Sequence, residues 1–184
     1  MLTAKKIIET FLKGRNYQFI MANFSETPLM EITLRRYESP HNLNQRDTLK
    51  KICLALGLLQ PGDSRDIIVD ILYVLEKAKK DHKEMSATEI KDELLEIRKV
   101  NGFSLNGTAD SNIRRQIKRL RDVYLVEKVR NNYRIFEFMD LKEIFSDKIK
   151  RIMLAAILKR NTEYFEYYSE NYEEKLEEMI NETN

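Results

Sequence analysis

SATEIKDELLEI at residues 86–97, SNIRRQIKRLRDVYLVEKV at 111–129 and NNYRIFEF at 131–138 decide how this chain folds. Ser86-Ala87-Thr88-Glu89 is a capping box: the serine oxygen accepts from an orphan amide and the glutamate reaches back to the serine N–H. It opens a helix over about 87–99, with Ile90, Leu94, Leu95 and Ile97 expected inside. Asn101-Gly102 through Asn106-Gly107 is a long turn region. The next helix starts near Thr108 or Asp110 and carries Ile113, Ile117 and Leu120 inward. Residues 125–129 and 133–138 are β-prone runs on either side of Arg130-Asn131-Asn132, where asparagine tolerates the positive φ of a tight hairpin.

Upstream, Ile67, Ile68, Ile71, Leu72, Leu75 and Ala78 recur at helical spacing over about 64–80. Leu59-Gln60-Pro61-Gly62-Asp63 reads as a linker. Leu49, Ile52, Cys53 and Leu56 mark an earlier helix that Gly57 ends. Met30, Ile32 and Leu34 alternate with Glu31, Thr33 and Arg35, which favours a strand, with a helix from Pro28 as the alternative. Residues 3–13 are a helix candidate stopped by Gly14, and 17–24 are aromatic and apolar without a clean period. Downstream, Asp140-Leu141-Lys142-Glu143 is a second capping box. After it come Leu141, Phe145, Ile149, Ile152 and Ala156, then Phe165, Tyr168, Tyr172, Leu176 and Met179, on one long helix or on two broken near Asn161-Thr162. The expected organisation is mainly α with a small β component. An N-terminal α+β segment occupies 1–62, a central domain of three helices and a hairpin 63–138, and a C-terminal long helix or helical hairpin 139–184.

Of the 184 residues, 42% are hydrophobic, enough for a core and too many for simple disorder. Lysine and arginine exceed aspartate and glutamate by only two, yet the balance is uneven along the chain. Residues 1–63, 64–138 and 139–162 each carry +3, and 163–184 carry −7. From Thr108 to Arg134 eight basic residues face three acidic ones, the strongest local excess and the place to expect a polyanion. Cys53 alone forms no intramolecular disulfide, and with only His41 and His82 beside it no Cys/His zinc site is expected. A reducing, cytoplasmic setting fits that usage. No apolar run nears the roughly 18 residues of a membrane span, and the first residues lack a signal-peptide pattern. No phosphate-loop, dinucleotide, zincin or nucleophile-elbow motif occurs, so neither enzyme chemistry nor a cofactor or metal is expected. The histidines read as exposed polar residues and Cys53 as a small core residue.

From Ser64 to Phe138 the chain resembles the winged helix-turn-helix superfamily. The resemblance rests on SATEIKDELLEI as second helix, SNIRRQIKRLRDVYLVEKV as third helix running into the first wing strand, and NNYRIFEF as the returning strand. It covers about 75 of 184 residues. Two departures stand out: Tyr124 occupies a position where many members have a glycine, so the turn there is expected to close differently, and the turn before the third helix is longer than usual. The resemblance implies that the third helix enters the major groove of double-stranded DNA while the wing reaches phosphates or the minor groove.

Placing each residue 100° after the last puts Ala109, Ile113, Ile117 and Leu120 within a sector of about 80°. Ser111, Arg115, Lys118 and Arg119 fall opposite, with Asn112 and Arg114 at the edges. Arginine can donate twice to guanine, asparagine can pair twice with adenine, and lysine or serine holds phosphate. The expected DNA surface is therefore Thr108, Ser111, Asn112, Arg114, Arg115, Lys118 and Arg119, with Arg130, Asn131, Asn132 and Arg134 on the wing. The C-terminal stripe has no partner inside its own segment, so a homodimer is expected through Phe145, Ile149, Ile152, Ala156, Leu158, Phe165, Tyr168 and Tyr172. The functional expectation is a DNA-binding transcriptional regulator. The competing one is a winged-helix protein-interaction scaffold in a transcription or chromosome-associated complex. Residues 1–62 carry no pattern that names a small-molecule effector.

Overall fold

The computed structural model describes residues 26–63 and 66–173. The helix expected at 3–13, the aromatic run at 17–24 and the last acidic residues lie outside them. Four helices and three short strands follow, then one long helix. They are α1 (Gln45–Ala55), α2 (Ile67–Lys79), β1 (Met85–Ser86), α3 (Ala87–Val100), α4 (Asp110–Asp122), β2 (Val126–Val129), β3 (Asn132–Ile135) and α5, continuous over 141–173. The fold is mainly helical with one antiparallel sheet of order β1-β3-β2.

Helix α2 is the hub. Ile67, Ile68, Val69, Ile71, Leu72, Val74, Leu75 and Ala78 are all buried, because α1, α3, α4 and β3 pack around it. An element apolar on nearly every side belongs in the middle of a helical core. The same hydrophobic cluster takes in Leu49, Cys53, Leu58 and Leu59 before the 60–63 turn and Ile144, Ile149 and Met153 after residue 138.

The second capping box and the first both form as the sequence dictates. Ser86 accepts from the Glu89 amide at 3.2 Å, and its own amide donates to the Glu89 carboxylate at 2.8 Å. Asp140 and Glu143 form the equivalent pair at the start of α5. Lys79 ties that start to α2, donating to Asp140 at 2.9 Å and lying 3.3 Å from Glu76.

Several expectations are corrected. Residues 28–35 form neither strand nor helix. The Arg35 amide donates to the Ala55 carbonyl, and its guanidinium to the carbonyls of Leu54 and Leu59, so the segment straps the open end of α1 and pairs with no strand. In α3 the buried residues are Ala87, Ile90, Leu94 and Arg98, while Leu95 and Ile97 are half-buried. The 3.6-residue period carries the inner face from Leu94 to Arg98. The hairpin loop has two residues, Arg130 and Asn131, and it is Arg130 that adopts positive φ (56°). The returning strand stops at Ile135, since a 3₁₀ turn follows in which Glu137 and Phe138 take positive φ. Tyr124 closes α4 as a glycine would: at φ 61° its amide donates to the Arg121 carbonyl and that of Leu125 to Leu120, a Schellman closure.

Helix α5 runs unbroken through Asn161-Thr162, so the alternative of two helices is excluded over 141–173. Its turns over Phe145–Leu154 are wide, of π type. That widening decides which face is buried. At 100° per residue Ile144 and Met153 would point in opposite directions, whereas at about 4.4 residues per π turn nine residues make two turns and the side chains align. Ile144, Ile149 and Met153 are the buried residues, and Phe145 and Ile152, expected at a subunit interface, are exposed. No helix among the described residues is long and apolar enough to cross a membrane.

Candidate nucleic-acid interface

Helix α4 presents two faces of opposite character. Ile113, Ile117 and Leu120 are at most 1% exposed, as their spacing requires. Ser111, Arg114, Arg115, Lys118 and Arg121 are exposed on the other side. The side chains of Lys118 and Arg121 make no hydrogen bond or ion pair among the described residues, and Arg115 bonds only the Asn112 side chain of its own helix, at 2.7 Å. The acidic residue of the first turn, Asp110, is taken by Lys91 at 2.5 Å, which holds its carboxyl below the usual range. Arg114, Lys118 and Arg121 make no ion pair among the described residues, and the acidic residues of the helix are Asp110, on which Arg114 also acts, and the exposed Asp122 at its end.

Other expected contact residues are committed elsewhere. Arg119 is half-buried and donates to Gln116 at 2.9 Å and to the Gly57 carbonyl at 3.3 Å. Helical periodicity places it outward, but the end of α1 comes up beside α4 and covers it. Asn112 donates to the Gly107 carbonyl at 2.6 Å and so fastens the preceding loop. The Thr108 hydroxyl donates to the Leu105 carbonyl at 2.8 Å. Asp63, Gly107, Asn112, Arg115, Gln116 and Arg119 line a cleft of about 510 Å³ along the first half of α4.

On the hairpin, Arg130 and Asn131 form an exposed tip with Lys128 exposed beside it. Asn132 sits in β3, opposite Val129 and Ser86. Arg134 is held inward: its guanidinium meets Glu127 at 2.7 Å and Glu84 at 3.2 Å and lies 4.6 Å from the Phe138 ring centre. Two carboxylates already balance it.

What orients α4 is a buried ion cluster that the sequence reading did not identify. Arg98 is 2% exposed and Asp70 0%. The Arg98 guanidinium pairs with Asp70 and, at 3.1 Å, with Asp66, while its Nε donates to the Ser104 carbonyl at 2.6 Å. Arg46 completes the cluster from α1, at 2.7 Å from Asp70 and 2.9 Å from Asp66. Phe103 lies under both guanidiniums, 4.4 Å from that of Arg46 and 5.7 Å from that of Arg98. Burial raises the Asp66 carboxyl, but bonds to Arg46 and then Arg98 outweigh it and hold it below the usual range. One cluster therefore joins α1, α2, α3 and the loop that delivers α4. Its signal in the sequence was a charge interrupting an apolar stripe, at Asp70 in α2 and at Arg98 one turn beyond Leu94.

The remaining candidates fall as the local chemistry expects. Cys53 is fully buried, and burial pushes its thiol up to about 12. His41 and His82 are exposed. Of the residues expected to join two subunits, Ile149 is buried in the chain's own core, while Phe145, Ile152, Ala156, Leu158, Phe165, Tyr168 and Tyr172 are exposed. In comparisons with family models, curated proteins and solved structures, the chain finds no match.

Proposed function

We propose that the protein is a DNA-binding regulator of transcription, with 67–138 a winged helix-turn-helix unit, α4 its recognition helix and the β2–β3 hairpin its wing. The observation that carries this reading is the cationic excess on the exposed face of α4, where Arg114, Arg115, Lys118 and Arg121 make no ion pair among the described residues, on a helix whose other face is aliphatic and buried. An ordinary solvated helix mixes signs so that neighbours screen one another. Here four cations share the exposed face with Asp122 alone, since Asp110 is paired with Lys91 and Glu127 with Arg134. The element order of helix, short strand, helix, helix and hairpin, with β1 paired on β3, supports the same reading. Arg114 and Arg115 suit guanine edges, Ser111 and Lys118 phosphates, and Lys128, Arg130 and Asn131 the backbone beyond. Arg119, Asn132 and Arg134 are left out because they are used inside the fold.

Selection of bound duplexes from a random pool tests the reading, with a defined sequence as the expected product. On that sequence Arg115→Ala should cost about 1–3 kcal/mol and relax one base position, whereas Arg130→Ala should weaken all sequences alike. Failure of any duplex to enrich would remove the DNA reading and leave a scaffold role for the same unit.

A further inference from the structure

We infer that Asn112 does not read a base but sets Arg115 to read one, so that the duplex held by α4 presents a guanine to Arg115 and owes no adenine contact to Asn112. The inference deepens the DNA reading and rests on it. Four cations are exposed on α4, and among the described residues the side chains of Arg114, Lys118 and Arg121 make no hydrogen bond. Arg115 alone is held, its Nη2 donating to Asn112 Oδ1 at 2.7 Å. What holds it is itself fixed on two further sides. Gln116 Nε2 donates to the same oxygen at 3.1 Å, and Asn112 Nδ2 donates to the Gly107 carbonyl at 2.6 Å. Arg119 extends the chain of bonds, donating to Gln116 Oε1 at 2.9 Å and to the Gly57 carbonyl beyond α1 at 3.3 Å. Measured from Asn112, these partners lie three, four and seven residues on, the spacing at which side chains of one helix face meet. Gly107 takes part by lacking a side chain: its φ is 87°, and a Cβ there would sit 3.3 Å from Asn112 Nδ2.

The orientation of the Asn112 amide follows from its partners. A carbonyl oxygen only accepts and a guanidinium only donates, so Nδ2 faces Gly107 and Oδ1 faces Arg115. Both lone pairs of Oδ1 are then filled. The paired contact with adenine needs that oxygen as an acceptor, and it is closed to Asn112. Arg115 spends one of its five N–H groups and keeps a full two-donor edge, the fork that matches O6 and N7 of guanine. It also has no carboxylate to leave, since it makes no ion pair among the described residues. An unheld arginine loses rotamer freedom on docking, whereas Arg115 has given up part of it in the free protein. The network therefore contributes preference for a base and adds nothing to attraction for the backbone. Lys118 and Arg121, which are unheld, suit phosphate, where contacts position the protein without reading sequence.

Nuclear magnetic relaxation of the arginine Nε–H groups in the free protein tests the holding step. Arg115 should be more ordered than Arg114 and Arg121, and Asn112→Ala should bring it to their level. A wild-type Arg115 as mobile as those two would overturn the inference, whatever the chain binds. The reading step is tested on the duplex that the wild type selects. Asn112→Ala should bind it about 3- to 10-fold more weakly, the cost of immobilising one long side chain on docking, and relax preference at the guanine. Its salt slope should match the wild type, because no phosphate contact is lost. In the Arg115→Ala background Asn112→Ala should alter no further base preference, since nothing is left to position. Relaxation of a second position, at an adenine, would make Asn112 a reader and overturn the inference while the DNA reading stands. So would a selected site without that guanine, or an unchanged preference in Asn112→Ala. If Asn112→Ala does not fold, the order of Arg115 and the bases of the selected site still decide. An ordered Arg115 in a chain that enriches no duplex would remove the DNA reading, and this inference with it.

Discussion

Arg98 and Asp70 occupy positions where the apolar period of their helices asks for a hydrophobe, and each is tolerated only because the other is there. Asp70 is reached by Arg98 and Arg46, and Arg98 spends its Nε on the Ser104 carbonyl. Removing one member leaves buried charge without a partner, which costs far more than a surface pair. Arg98→Ala should lower stability by about 3–5 kcal/mol in urea unfolding, and loosen the loop 101–109 on which α4 begins. The cluster also predicts a pH dependence. With its folded-state pKa depressed, Asp66 contributes stability that is fully present above the unfolded value of about 3.9 and lost as pH falls through the folded value. Urea midpoints from pH 6 down to 3 should therefore fall more steeply for the wild type than for Asp66→Asn. Equal slopes would show that the carboxylate is not held by its arginines. The interrupted apolar stripes marked the positions of Asp70 and Arg98 but not their pairing, because a charged residue reads as exposed until the helices that enclose it are placed.

Elements with a strong local rule were readable, and those that depend on a neighbour were not. Two capping boxes set the starts of α3 and α5, and the triplet Ile113, Ile117 and Leu120 sets the inner face of α4. The alternation at Met30–Arg35 failed because the segment bonds to the carbonyl end of α1 instead of a strand. Tyr124 shows a closure whose geometry survives although the expected glycine does not. Helix α5 gives the sharpest case. A 3.6-residue period puts Phe145, Ile149 and Ile152 on one stripe, and the wide turns over Phe145–Leu154 bury Ile149 with Ile144 and Met153 and leave the other two exposed. Thermal or urea unfolding separates the two registers. Ile149→Ala should cost about 2–5 kcal/mol as a core deletion, and Ile152→Ala should stay within about 0.5 kcal/mol. Reversed magnitudes would mean that the helix keeps a uniform α period.

At the scale of the molecule the near-zero net charge hides a sorted distribution. The acidic residues of the body are largely consumed by internal pairs, Asp66 and Asp70 with Arg46 and Arg98, Glu84 and Glu127 with Arg134, and Asp110 with Lys91. The arginines and lysines of α4 and the hairpin tip are spared that pairing. The candidate surface was visible in the sequence as a local basic excess, but its membership was not. Whether Arg119 and Arg134 face outward depends on the end of α1, on Glu127 across the hairpin and on Glu84 fifty residues away in the chain. Whether α4 and the hairpin tip hold DNA is tested by the salt dependence of duplex binding by the full chain. If Lys118, Arg121, Lys128 and Arg130 together make about four phosphate contacts, log affinity should fall against log salt with a slope of about −3 to −4. Lys118→Ala should reduce that slope by about 1, and Arg134→Ala should leave it unchanged. A flat response, or a slope indifferent to Lys118, would mean that this face does not meet phosphate.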